Sequence, residues 1–153
     1  KGFGPFGIQA IGGDIYVTYA KQDPASTDEV AGPGLGYVDV YTPRGRLIRR
    51  VASGGCLNAP WGIALAPAAF GTFSNKLLIG NFGDGRINAF QPTSGQSLGP
   101  LRNKANNMPI HIDGLWGMQF GNGFANQPVN TLFFASGPDD ESHGLYGRLD
   151  LAN

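Results

Sequence analysis

The sequence predicts an all-β fold made of repeated units, because two observations agree. An aromatic-Gly-aliphatic tripeptide occurs three times, with its glycine at Gly7, Gly62 and Gly117, so that the spacing is 55 positions each time. This period lies slightly above the roughly 40 to 50 residues of a four-stranded propeller blade. The 25 glycines and 11 prolines suit short strands joined by tight turns. The predicted class is therefore a β-propeller of four-stranded antiparallel blades.

Each unit continues from its tripeptide into short apolar runs that have the composition of strands. A second run follows the tripeptide, and a third begins after a glycine and alternates with period 2 in the first two units. Turns that contain proline then lead into a fourth run in the first two units only. The predicted second strands are 15–19, 77–81 and 132–136, the third strands are 36–41, 85–90 and 144–149, and the fourth strands are 46–51 and 96–101.

The units divide the whole chain, residues 1–153, into three blades. Blade 1 is expected at 6–52, blade 2 at 60–102, and blade 3 at 115–151 without its outer strand. A propeller closes with roughly four to eight blades, so three blades predict half of a six-bladed ring. The expected partner that completes this ring is the missing half of the propeller or a second chain.

The composition argues against several function classes. Eleven basic residues balance eleven acidic ones, and 14% of the residues are charged, so the sequence lacks the basic footprint of a nucleic-acid-binding protein. No apolar run reaches the roughly 18 to 20 residues that span a bilayer. Cys56 is the single cysteine, which leaves no internal disulfide. The predicted partners therefore include neither nucleic acid nor a membrane.

Three segments of the chain carry a resemblance to a known group of proteins. They are residues 59–67, 78–90 and 112–117, and the most specific stretch is Asn-Phe-Gly-Asp-Gly-Arg-Ile-Asn at 81–88. The chain resembles the C-terminal half of uncharacterised exported bacterial proteins that are similar to NHL-type six-bladed β-propellers. The resemblance implies the fold and export to the periplasm or the outside of the cell, and it implies no reaction.

A propeller has one face on which ligands are expected. In each blade, the loop into the first strand and the loop between the second and third strands lie on this face, and loops on a rigid scaffold commonly carry function. Asn58 and Asp113 precede first strands, and Tyr19, Asn81 and Ser136 end second strands. The other residues expected on the ligand face are His111, Asp139, Asp140 and His143.

Asn58, Asn81 and Asp113 are oxygen donors that this arrangement directs toward the propeller axis. A calcium ion takes roughly six to eight oxygen ligands at about 2.3 to 2.6 Å, so half a ring supplies part of such a site. The alternative is that these side chains accept hydrogen bonds from loop N–H groups as Asx-turns. Calcium is the one cofactor that the sequence suggests.

The densest group of titratable side chains is Asp139, Asp140, Glu141 and His143, and together with His111 it contains both histidines of the chain. Imidazole titrates near neutral pH and suits a general base, whereas the alternative for adjacent carboxylates in a loop is simple solvation. The sequence contains no Gly-x-Ser-x-Gly nucleophile elbow. No catalytic residue is therefore assigned.

Trp61 and Trp116 occupy the same place in the repeat as Phe6, so we expect them to pack between blades rather than stack on a sugar. The function predicted from these observations is an exported, non-enzymatic module that binds a protein, a glycan or a small ligand. One alternative is a calcium-dependent hydrolase or lactonase of the six-bladed type. Another alternative is a structural subunit of a larger assembly.

Overall fold

The computed structural model describes residues 2–152, which form three antiparallel sheets. The strands are β1 Phe3–Ile11, β2 Asp14–Lys21, β3 Gly36–Tyr41, β4 Leu47–Ser53, β5 Pro60–Leu65, β6 Leu77–Asn81, β7 Ile87–Phe90, β8 Ser97–Pro100, β9 Leu115–Phe120, β10 Leu132–Ser136 and β11 Leu145–Leu149. Sheet 1 contains β1 to β4, sheet 2 contains β5 to β8, and sheet 3 contains β9 to β11. The described residues form no α-helix, only a 3-10 turn at Gly71–Phe73. The all-β prediction is confirmed.

The observed strands differ from the predicted ones at their ends, by up to two residues. β2 spans Asp14–Lys21 rather than 15–19, and β7 spans Ile87–Phe90 rather than 85–90. The fourth strands are Leu47–Ser53 and Ser97–Pro100, not 46–51 and 96–101. Register shifts between β3 and β4 offset the outer strand of sheet 1 against its neighbour. Within residues 2–152, β11 pairs only with β10, so the third unit has three strands, as predicted.

The three sheets pair their first and second strands in an equivalent way. The first-strand residues of the equivalent pairs lie 55 positions apart, whereas the second-strand residues lie 62 positions apart between sheets 1 and 2 and 55 between sheets 2 and 3. This agreement shows that the sequence repeat is also a repeat in space. The equivalent pairs are Ile8 with Val17, Ile63 with Ile79, and Met118 with Phe134.

Two apolar clusters hold the sheets together, and sheet 2 lies between the other two. Successive side chains of a strand point to opposite faces of its sheet. Leu77 and Ile79 of β6 therefore pack with Val38 and Val40 of sheet 1, while Leu78 packs with sheet 3. Sheet 2 is buried on both faces, whereas sheets 1 and 3 each have one face that no other described sheet covers.

The tripeptide glycines let the first strands of neighbouring sheets approach closely. A Cβ added at Gly7 would overlap the carbonyl oxygen of Trp61, and one at Gly62 would lie 2.8 Å from the carbonyl oxygen of Trp116. The Thr18 hydroxyl accepts a hydrogen bond from the Gly7 N–H at 2.8 Å and lies 3.3 Å from the Trp61 carbonyl oxygen, to which it donates. Glycine is required at these two positions because a side chain would push the sheets apart.

Candidate functional site

The loops at one end of the three sheets form a surface that we call the loop face. Backbone bonds join these loops in the same way in two sheets. The Phe82 N–H donates to the Ala59 carbonyl oxygen at 2.9 Å, and the Gly137 N–H donates to the Gly114 carbonyl oxygen at 2.8 Å. The loop face consists of residues 22–35, 54–59, 82–86, 110–114 and 137–144.

The predicted site residues Asn58 and Asn81 meet at the corner of sheet 2. The Asn81 side-chain oxygen accepts a hydrogen bond from the Asn58 backbone N–H at 3.2 Å. The Asn81 side-chain nitrogen donates to the Cys56 carbonyl oxygen at 2.8 Å and to Asp84 Oδ1 at 2.9 Å. The Asn58 side-chain oxygen accepts a hydrogen bond from the Gly32 N–H at 2.6 Å. Both buried amides therefore hold the loops of this corner together.

The predicted residues of the third unit meet at the corner of sheet 3. Asp113 Oδ2 accepts a hydrogen bond from the Asp139 backbone N–H at 3.1 Å. Asp139 Oδ2 lies 3.8 Å from Nε2 of His143, and both side chains are exposed. Ser136 takes the repeat position of Asn81 and is fully buried, but its hydroxyl has no hydrogen-bond partner in the described part of the chain. This corner is joined by the Asp113 carboxylate and by the backbone, while the side chains of Asp139 and His143 stay exposed.

The loop after Ser136 has an unusual backbone and a contact that the sequence analysis missed. Asp139, Asp140 and Glu141 have φ angles of 56°, 50° and 61°, a left-handed conformation that side chains disfavour. This turn brings Glu141 Oε1 within 2.7 Å of the Trp116 indole Nε1, which donates a hydrogen bond. The two residues are 25 positions apart and carry no shared motif, so only the fold reveals the pair.

Four aromatic side chains form a row next to the loop face. The ring centroid of Trp61 lies 4.6 Å from that of Phe6 and 6.4 Å from that of Trp116, and Phe82 lies 6.0 Å from Phe6. All four rings are half-buried. Since Phe6, Trp61 and Trp116 belong to three different sheets, the predicted packing of these residues between units is confirmed.

Tyr19, the predicted site residue of sheet 1, lies over the uncovered face of that sheet. Its ring stacks on Tyr37 with centroids 4.5 Å apart, and its hydroxyl lies 2.7 Å from the Tyr41 hydroxyl. Burial, followed by the hydrogen bond with Tyr41, raises the pKa of Tyr19. Tyr19 therefore forms an aromatic surface together with Tyr37 and Tyr41.

Acidic side chains concentrate on the loop face. Eight of the eleven acidic residues of the chain lie in these loops, which contain one arginine, Arg86, and no lysine. Burial raises the pKa of the Glu29 carboxyl, and a hydrogen bond with Asp28 and the charge of Glu141 raise it further. The charge of Glu141, in a loop of sheet 3, thus acts on the carboxyl of Glu29, in a loop of sheet 1. The eight residues are Asp23, Asp28, Glu29, Asp84, Asp113, Asp139, Asp140 and Glu141.

The remaining predicted residues make no side-chain hydrogen bond or salt bridge within residues 2–152. His111 and Asp140 are exposed. Among residues 2–152, no three side chains of the His, Cys, Asp and Glu types are grouped so as to hold a metal ion. The hydrogen bonds of the described chain join Asn58 to Asn81, but none joins Asp113 to either of them. The calcium hypothesis stays a prediction.

The fold and the loop face define an all-β domain of packed antiparallel sheets with an acidic and aromatic end. No helix within the described residues is long and apolar enough to cross a membrane. Comparison with known protein families gives no match.

Comparison with curated proteins finds relatives in Acanthamoeba polyphaga mimivirus. One uncharacterised mimivirus protein is 38% identical over 148 residues, which make up 96% of this chain and 36% of the relative. A second is 37% identical over 148 residues, or 96% of this chain and 38% of the relative. A third is 47% identical over 89 residues, or 58% of this chain and 17% of the relative. The chain therefore spans little more than a third of the length of the first two relatives.

Proposed function

We propose that the three sheets are consecutive blades of a β-propeller of six blades. The 55-residue spacing of the first strands, their equivalent pairing with the second strands, and the contact of β5 with both β1 and β9 support this arrangement. Gly117 keeps the tripeptide glycine although a Cβ there would meet nothing within 4 Å, as expected if a further first strand packs beside β9. A crystal structure of a longer mimivirus relative tests this proposal. Sheets arranged around a central axis support it, and sheets that stack without curving overturn it.

We also propose that the protein is a binding module whose loop face receives a cationic segment of a partner protein. The observation that carries this proposal is the coincidence of eight acidic residues and a half-buried aromatic row at one end of the fold. Carboxylates attract lysine and arginine over several ångströms, and aromatic faces stabilise the same cations by cation–π contacts. Export of the protein, which the sequence resemblance implies, remains a proposal of its own.

The two tryptophans of the chain offer a direct measurement of binding. Trp61 and Trp116 are its only tryptophans, and both lie in the aromatic row, so intrinsic fluorescence reports on this surface. Titration with hexalysine is expected to change the fluorescence, and raising NaCl from about 0.05 M to about 0.5 M is expected to weaken binding, because salt screens exposed charges. Hexaglutamate and chitohexaose serve as the acidic and neutral probes.

Substitutions then separate the loop face from net charge. The double variant Glu29→Gln with Glu141→Gln is expected to weaken hexalysine binding about five- to tenfold, at about 0.5 to 0.7 kcal/mol for each exposed pair. Asp14→Asn removes one charge from the start of β2, away from the loop face, and is expected to leave binding unchanged. Equal binding of hexaglutamate, binding of chitohexaose alone, or no response to hexalysine would overturn the proposal.

A further inference from the structure

The uncovered face of sheet 1 repeats a surface that is covered in the other two sheets. Residues at equivalent positions of the three sheets are all apolar and point to the same side. In sheets 2 and 3 this side packs on the preceding sheet. The equivalent residues are Ile8, Ile15 and Val17 in sheet 1, Ile63, Leu77 and Ile79 in sheet 2, and Met118, Leu132 and Phe134 in sheet 3.

Exposure differs sharply between these equivalent positions. Ile63 is 3% exposed and Met118 is 5% exposed, whereas Ile8 is 71% exposed. An exposed isoleucine is ordinary by itself. Here it lies beside the half-buried Ile15 and Val17, so the apolar pattern of the covered sheets is kept on an open surface.

A groove of about 570 Å³ lies on this open surface. Its lining includes Ile8, Ile15 and Val17 in the middle and Tyr19 and Tyr41 at the side. Phe90 of sheet 2 takes the repeat position of Tyr41 and is buried in the cluster between sheets 1 and 2. The groove therefore occupies the place where a preceding sheet would pack.

We propose that this face of sheet 1 is the interface for one further sheet of the same repeat, an inference that rests on the propeller arrangement proposed above. The occupant is expected to present aliphatic side chains from its third strand, because such side chains fill the two interfaces inside this chain. Those side chains are Val38 and Val40 of sheet 1 and Ile87 and Ala89 of sheet 2.

The source of this sheet is expected to be polypeptide beyond the segment that this chain matches. In the first two mimivirus relatives the match covers 36% and 38% of the protein, which leaves ample length for further units. A second copy of this chain fits less well. At the positions of Val38 and Val40, sheet 3 has Tyr146, which is 74% exposed, and Arg148, which is paired with Asp150 at 2.7 Å.

The test adds the missing sheet to the chain. A second copy of residues 58–112 is fused directly before Phe3, so that the 55-residue spacing continues. We expect the fusion to raise the Tm of the original sheets by about 5 °C or more, since burying the apolar face around Ile8, Ile15 and Val17 stabilises the folded chain. Ile8→Asp is expected to abolish this rise and to shift the Tm of the unfused chain by less than about 2 °C, because Ile8 is exposed there.

A matched control uses an equally exposed apolar residue. Phe124 is 76% exposed and lies in the loop between β9 and β10, so Phe124→Asp is expected to leave the gain from fusion intact. The apolar dye ANS gives a second reading, since both the fusion and Ile8→Asp are expected to lower dye fluorescence relative to the unfused chain.

Several results would overturn the interface. They are an equal effect of Ile8→Asp in the fused and unfused chains, ANS fluorescence that Ile8→Asp leaves unchanged, or a dimer of the unfused chain that Ile8→Asp dissociates in sedimentation equilibrium. Hexalysine titration of the same fusion separates the two proposals. Peptide binding that persists while the gain in Tm is missing counts against the interface alone, and the reverse result counts against the binding function alone.

Discussion

The corners of sheets 2 and 3 have the same backbone and different side-chain chemistry. The Phe82 N–H bonds to Ala59, and the Gly137 N–H bonds to Gly114, at 2.9 and 2.8 Å. Ala59 and Gly114 lie 55 positions apart and both have a left-handed backbone, with φ angles of 43° and 57°. The repeat therefore fixes the course of the chain at both corners.

The side chains at these corners differ in hydrogen bonding and in exposure. In sheet 2, the buried Asn81 makes three hydrogen bonds that close the corner. In sheet 3, Ser136 replaces it and makes none within the described residues, while Asp139 is exposed and Glu141 reaches Trp116. The same backbone course therefore supports two kinds of corner. The corner of sheet 2 is held together by buried side chains, whereas the corner of sheet 3 has charged groups that are available to a ligand.

The largest effect on stability is expected at the corner of sheet 2. Asn81→Ala removes three hydrogen bonds and leaves the Asn58 N–H and the Cys56 carbonyl oxygen without this partner, so we expect a loss of about 3 kcal/mol in the free energy of unfolding. Ser136→Ala removes a hydroxyl that makes no bond, and we expect a change of less than about 0.5 kcal/mol. Urea unfolding of both variants measures the difference. Equal losses would show that the two corners are energetically alike.

A smaller effect tests the shared backbone. A Cβ added at Gly114 would overlap the carbonyl oxygen of Gly137, and alanine also disfavours the left-handed φ angle. We expect Gly114→Ala to cost about 2 kcal/mol. Ala59→Gly is the matched change in sheet 2 and is expected to alter stability by less than about 1 kcal/mol, since glycine adopts this conformation freely. Thermal unfolding compares the two, and a harmless Gly114→Ala would contradict the common backbone constraint.

The smallest effect is expected on the pKa of Glu29, which responds to the charge of Glu141 at the corner of sheet 3. Burial, Asp28 and Glu141 raise the pKa of Glu29, so Glu141→Gln is expected to lower that pKa. Asp84→Asn, at the corner of sheet 2, is expected to leave the pKa of Glu29 unchanged. Carboxyl NMR titration measures both variants. If the pKa of Glu29 responded only to Asp84→Asn, the expected electrostatic effect of Glu141 on Glu29 would be contradicted.

The same pKa has a consequence for stability. Because the pKa of Glu29 is higher in the folded state than in the unfolded state, its stabilising contribution is complete below the unfolded pKa and is lost as the pH rises through the folded pKa. Glu141→Gln brings the folded pKa of Glu29 closer to its unfolded value, so the folded state loses less stability at neutral pH. The gain over the original chain should vanish at about pH 4, where unfolded glutamate becomes protonated.

Much of the fold was predictable from local pattern. The tripeptides at Gly7, Gly62 and Gly117 placed the first strand of each sheet, and the alternation in 36–41 placed β3. These features depend on strand period and turn chemistry, which the sequence displays directly. The ends of strands such as β2, β4 and β7 were missed by up to two residues, since the point where pairing stops depends on the neighbouring strand.

The loop face was predictable only in outline. Asn58, Asn81 and Asp113 were expected on one face because of the loops that carry them. A hydrogen bond joins Asn58 to Asn81, whereas Asp113 bonds to Asp139. The bond between Trp116 and Glu141 and the nearness of Glu29 to Glu141 join residues without a common motif. Such contacts depend on how sheets are placed against one another, which no local pattern encodes.

The sequence by itself determined the all-β class and the three units, because both follow from periodic side-chain chemistry along the chain. Only the tertiary structure decided which apolar faces are covered and which acidic loops meet. Ile8 and Ile63 are the same residue at the same repeat position, yet one is 71% exposed and the other 3%. Burial is a property of neighbours in space, and the neighbours of a sheet are set by the arrangement of the whole molecule.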